Sequence, residues 1–217
     1  MAQEVPDARR ILDLAERAEK MGFDSVWVGD SVLARPRLDA LTTLAAVAAR
    51  TERVKLGTAV LLPALRHPVV LANEAANLDL LSQGRLILGL GIATKNPPVE
   101  REFLACGISF AKRIGIFEEC VTIIRRLWSE SEVTFSGRHF QLHKVRAGLR
   151  PVHKPGVSLW LAGSVDNALR RVLRLGDGWM PIPPSPQAFA ENWGACKFLR
   201  VNQQRTARGC IAASTQR

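Results

Sequence analysis

The sequence predicts an α/β fold, a parallel barrel of the TIM (β/α)8 type that is incomplete, with about five of its eight strands present. Three observations predict it. Short apolar runs begin near residues 24, 53 and 85, roughly one βα unit apart. Each is separated from the next by an amphipathic stretch with apolar residues at helical spacing. The runs are continuous rather than alternating, as strands covered on both faces require.

Taken in order, residues 8–21 put Ile11, Leu14, Ala15, Ala18 and Met21 on one helical face, and Gly22 ends that helix. Residues 24–30, rich in Val and Trp, read as a buried strand. The unit recurs as helix 39–50, strand 53–60, helix 67–82 and strand 85–91, with His67 before Pro68 marking the start of the third helix.

Residues 93–155 break the rhythm, with a helix near 113–128 and a hairpin over 132–142 turning at Ser136-Gly137, and they read as an insertion over one mouth of the barrel. The rhythm resumes with strand 157–162, helix 165–175 and strand 177–180, then a Pro-rich stretch and a helix start at 187–193.

A closed barrel needs eight strands and about 250 residues. The expectation is therefore a frame truncated at both ends, lacking one unit before residue 8 and two after residue 180. An open barrel would expose unpaired edges, so an inactive or unstable fragment, or self-association into a homodimer, stands as an alternative. Residues 1–193 read as the barrel portion and 194–217 as an atypical basic tail.

The net charge of +10 raises nucleic-acid binding as a function, and its distribution answers it. Residues 194–217 carry five bases and no acid, which leaves 25 bases against 20 acids over residues 1–193. That tail reads as a flexible basic segment, an out-of-frame C-terminus or a nucleic-acid-binding arm. With no helix-turn-helix, aromatic platform or zinc module beside it, nucleic acid is not an expected partner. Cys106, Cys120, Cys196 and Cys210 form no CxxC pair and have no His at ligand spacing, so no metal is expected. The N-terminal residues carry acids and no apolar core, and no run approaches eighteen apolar residues, so the chain is expected to be cytoplasmic with no membrane contact.

Parallel barrels work at the C-terminal ends of their strands. Those ends hold Asp30 and Ser31, then Thr58, Ala59 and Val60, then Gly89 to Ala93, then Ala162 to Ser164, and last Gly178 and Trp179. Asp30 there can orient a ligand or move a proton, or serve as a cap or ion-pair partner. The glycines at 89 and 91 either admit something flat to the backbone or allow tight packing. The Gly163-Ser164 turn before a helix either holds a phosphate on free N–H groups and a hydroxyl, or caps the helix with Ser164 or Asp166.

Several phrases, among them AEKMGFDSVWVGD, RVKLGTAVLLPALRHPVVLANEAANLDLLSQGRLILGLGI, SFAKRIGIFEECVTIIRRLW and LWLAGSVDNALRRVLRLGDGWMP, resemble successive segments of the luciferase-like monooxygenase family over residues 8–193. The resemblance implies a barrel of the bacterial luciferase type that holds FMN or coenzyme F420 at its C-terminal mouth and acts on a small-molecule substrate by hydride transfer or oxygen activation. It implies Asp30 and Ser31 beside the ring as catalytic residues, with Ser31 departing from the Asp-His pair of many deazaflavin-using relatives. It implies a strand-end bulge with a non-proline cis peptide at Thr58, Ala59 and Val60, and Gly91, Ile92 and Ala93 flanking the ring. Gly163 and Ser164 would take the phosphate, and Gly178 and Trp179 would close the pocket.

Overall fold

The computed structural model describes residues 6–181 and 185–194; the tail from residue 195 on lies outside them. The chain forms two compact units, Met1–Leu159 and Trp160–Arg217.

The first unit opens on α1 (Ala8–Lys20), capped by the Asp7 carboxylate, and continues through β1 (Ser25–Val28), α2 (Ala40–Arg50), β2 (Lys55–Thr58), α3 (Pro68–Leu81) and β3 (Leu86–Leu90). The sequence draws these elements because each helix has a start signal: Asp39 accepts from Thr42 N at the head of α2, and His67 with Pro68 opens α3. All five residues of β3 are buried, as a strand covered on both faces must be. The strands pair in parallel, Ser25 beside Lys55 through Val28 beside Thr58, and Leu56 beside Leu86. A parallel register sends the three C-terminal ends to one edge, and that shared edge brings residues 30, 60 and 91 into one neighbourhood.

Helices α2 and α3 cover the strands with Leu41, Leu44, Val47, Leu71, Ala72, Ala75 and Leu78. Each large aliphatic side chain buried this way contributes about 1.5–3 kcal/mol. At the opposite edge Arg85, entering β3, donates to the Thr51 hydroxyl and to the carbonyls of Ala48, Thr51, Val54 and Ser82. It thereby satisfies the carbonyls left open at the end of α2.

The insertion differs from the expectation in two respects. It contains an additional helix, α4 (Pro97–Ala105), ahead of α5 (Arg113–Ser129). This helix leaves no clear periodic trace in the sequence, because it is short and only Glu102 and Phe103 are buried along it. The hairpin β4 (Val133–Ser136) and β5 (Gln141–Val145) turns through residues 137–140 rather than at Ser136-Gly137. Its longer turn is held from outside: both oxygens of Glu119 on α5 accept from Arg138, His139 and Phe140 N at 2.8–3.0 Å. Glu19 on α1 does the same for Glu52, Arg53 and Val54 N at the entry to β2. Burial alone would raise the Glu19 carboxyl, but the N–H groups of Val54, Arg53 and Glu52 and the nearby Arg53 charge outweigh it and hold the group at about 2.

In the second unit β6 (Ser158–Ala162), which begins just before the boundary, leads into α6 (Asp166–Leu175) and β7 (Gly178–Met180). Strands β6 and β7 pair in parallel, Leu161 beside Trp179 and Ala162 beside Met180. Residues 186–194 are helical. Among the described residues, no helix is long and apolar enough to cross a membrane, and no group of three His, Cys, Asp or Glu is placed to hold a metal ion.

Candidate active-site mouth

Asp30 follows β1 and its side chain is buried, 1% exposed. Its Oδ2 accepts from Leu62 N at 3.0 Å and from Arg66 Nη1 at 2.7 Å, and its Oδ1 accepts from Arg66 Nη2 at 2.8 Å. Arg66 also reaches Asp39 Oδ2 at 3.0 Å. Burial works against the guanidinium charge, but the hydrogen bonds and charges of Asp30 and Asp39 prevail and raise its pKa. One arginine thus joins a strand-end carboxylate to the cap of α2.

Ser31 is bound into a second network. Its hydroxyl donates to Glu102 Oε1 at 2.9 Å, and the same oxygen accepts from Val32, Leu33 and Ala34 N at 2.5–3.1 Å. The Ser31 oxygen in turn accepts from Arg35 N. Glu102 is 1% exposed, and burial would raise its carboxyl, yet the donors from Leu33, Ala34, Ser31 and Val32 hold it below the usual carboxylate range. Its other oxygen, Oε2, is buried without a hydrogen-bond partner.

At the end of β2, Thr58 is fully buried and its hydroxyl donates to the Gly89 carbonyl at 2.8 Å. The Ala59–Val60 peptide is cis, at the position where the family resemblance implies such a bond. Gly91 lies against it, and a Cβ there would run into Val60 Cγ2. The glycine therefore serves close packing between strand ends. Ile92 and Ala93 are partly buried, and Ala93 has φ 64°. Val60 and Ala93 also pack on the apolar cluster of Leu62, Ala64, Phe103, Ile116 and Cys120.

The second unit holds the remaining residues. Gly163 has φ 135°, and a Cβ on it would lie 2.5 Å from Ala168 Cβ, so only glycine lets the first turn of α6 come this near. Of the two readings of Ser164, capping is not the one observed: Val165 is the N-cap of α6 and no side chain caps it. The Ser164 Oγ is buried without a hydrogen-bond partner. Gly178 and Trp179 lie on β7, and Trp179 Nε1 donates to the Gly163 carbonyl at 2.7 Å.

A profile of the luciferase-like monooxygenase family matches residues 1–196, across both units. This chain belongs to that family. Among its relatives, an F420-dependent glucose-6-phosphate dehydrogenase of Kineococcus radiotolerans is 36% identical over 180 residues, which is 79% of this chain and 51% of that protein. The chain spans about half the length of the curated relatives it matches. The crystal structure of monooxygenase RslO1 from Streptomyces bottropensis aligns with TM-score 0.82 at 31% identity, over 90% of this chain and 60% of that one. An F420-dependent secondary alcohol dehydrogenase in complex with an F420-acetone adduct aligns with TM-score 0.74 at 26% identity, over 88% and 62%. The fold is that of the luciferase-like TIM barrels, of which this chain covers part.

Arg66 and Glu102, which hold Asp30 and Ser31 here, are not among the sites expected from sequence. A signal for Glu102 was present: Asn96-Pro97-Pro98 is a helix start, with Asn96 Oδ1 accepting from Val99 N. No comparable signal marks Arg66, whose partner lies 36 residues away.

Proposed function

We propose that this chain binds FMN or coenzyme F420 and acts as an oxidoreductase on a small organic substrate. The observation that carries the reading is the Ser164 hydroxyl, buried with no protein partner beside a helix whose N-terminus has no side-chain cap. A phosphate is the group common to both cofactors, and such a turn suits it: a hydroxyl donor and the positive end of a helix dipole. The residues therefore fit the group.

In this reading Gly163 and Ser164 hold the phosphate, with Gly178 and Trp179 adjoining them. In the first unit Thr58, Ala59 and Val60 support the ring, and Gly91, Ile92 and Ala93 flank it. Asp30 and Ser31 act at the edge of the reacting site, Asp30 as a fixed charge neutralised by Arg66 and Ser31 as a hydroxyl oriented by Glu102. When bound, the ring system supplies hydride transfer, and with FMN also oxygen activation. The protein residues bind it, orient it and hold the loop after β1 in one conformation.

The test is titration of the purified chain with FMN and with F420, read by absorbance and fluorescence. Saturable binding of one cofactor, lost about tenfold in Ser164→Ala, is the expected result. Binding of neither sinks the proposal.

A further inference from the structure

We propose that Trp179 is a positioning residue: its indole N–H sets the direction of the Gly163–Ser164 peptide, and Phe189 and Trp193 hold the indole in place to do so. This rests on reading Gly163 and Ser164 as the phosphate turn.

The parallel register sets Trp179 beside Leu161, two residues before Gly163. From there Nε1 reaches the Gly163 carbonyl at 2.7 Å. The carbonyl of Gly163 and the N–H of Ser164 belong to one planar peptide, and the cis bonds of the described chain lie elsewhere. In a trans peptide the two groups point in opposite directions. Fixing the oxygen on the indole therefore turns the Ser164 N–H away from Trp179. Gly163, with no Cβ to restrict rotation about its Cα–C bond, does not set this plane by itself. With the peptide so oriented, Ser164 presents a backbone donor in addition to its partnerless hydroxyl, two donors for one tetrahedral anion.

The indole is itself braced. Phe189 stacks on it at 5.4 Å between ring centroids and 20° between planes, and Trp193 at 6.2 Å and 12°. Phe189 and Trp193 stand four residues apart on one helical face and stack on each other at 6.5 Å. They are 43% and 45% exposed.

The experiment compares cofactors with and without the phosphate on the full chain: FMN against riboflavin, and F420 against its phosphate-free deazaflavin core, with dissociation constants from fluorescence. Trp179→Phe keeps the ring and removes the donor. It is expected to weaken the phosphate-bearing member about tenfold and the phosphate-free member less than twofold. An equal loss for both members means a general packing role and overturns the proposal, as does no loss. Phe189→Leu leaves the donor and removes one support, so a smaller loss confined to the phosphate-bearing member is expected. If Trp179→Phe does not fold, Phe189→Leu decides alone, and full retention of the phosphate preference overturns the proposal. A wild-type chain that binds no member of either pair overturns the flavin reading itself. One whose phosphate preference survives in Trp179→Phe overturns only the part given to Trp179.

Discussion

Arg66 grips Asp30 through two parallel hydrogen bonds, and the carboxylate it holds is 1% exposed while its own side chain is 15% exposed. The pair is asymmetric, so losing Arg66 leaves an unpaired charge in the interior. Arg66→Met is expected to cost about 3–5 kcal/mol in urea unfolding. The double variant Arg66→Met with Asp30→Asn should recover a large part of that loss, and a double-mutant cycle that finds simple additivity would contradict the coupling.

Glu102 takes four donors on one oxygen, so its removal should be felt in the loop rather than in its own helix. Glu102→Ala is expected to destabilise the fold by about 2–3 kcal/mol. Amide exchange at Val32, Leu33 and Ala34 should accelerate more than at residues of α4. Uniform acceleration across the first unit would show that the carboxylate is not local to that loop.

The acid side of the stability curve follows from depressed carboxyls. Glu19 sits at about 2 in the fold against 4.5 unperturbed, and Glu102 is shifted in the same direction. A carboxyl lowered in the fold stabilises above its unfolded value and loses that contribution as pH falls toward its folded value. Stability should therefore decline from about pH 4.5 toward pH 2. Glu19→Gln should be less stable at neutral pH and show a shallower decline over this window. A parallel curve at all pH values would reject the assignment.

Arg85 is wrapped around the end of α2 by donors to five oxygens. Arg85→Lys keeps the charge but cannot reproduce the planar fork, and a loss of about 1–3 kcal/mol is expected by thermal or urea unfolding.

Cys120 is fully buried, and burial, with Glu119 nearby, pushes its thiol up to about 12. It should resist alkylation at pH 8 while the chain is folded and react once it unfolds, as followed by peptide mass mapping at that residue. Rapid labelling of Cys120 in the native state would contradict the packing around α5.

The elements that repeat were legible because their apolar spacing is a local property: α1 to β3 and β6 to β7 fall within a few residues of where periodicity puts them. The geometry around Asp30 was not, since the strand-end position was readable but its partner is fixed only by parallel register, which brings residue 66 alongside residue 30. Glu102 is a stronger case. It meets Ser31 across 71 residues from a helix with too little buried surface to leave a periodic trace. At Gly91 the residue type left packing and ligand approach equally open, and the nearness of Val60, a tertiary fact, favours packing.

Glu19, Glu102 and Glu119 repeat one device: a single glutamate on a helix gathers three consecutive main-chain N–H groups of a distant loop. Such a grip reads only the peptide chain. Exposed side chains there, such as Val32, Leu33, Glu52 and Arg138, can therefore change while the path of each loop is preserved, provided no proline enters, whereas Val54 is in the core and Phe140 packs on His67 and the apolar cluster. At 32–34, the loop that follows β1 at the edge of the strand C-terminal ends, sequence variation can change the chemistry displayed without changing where the loop runs.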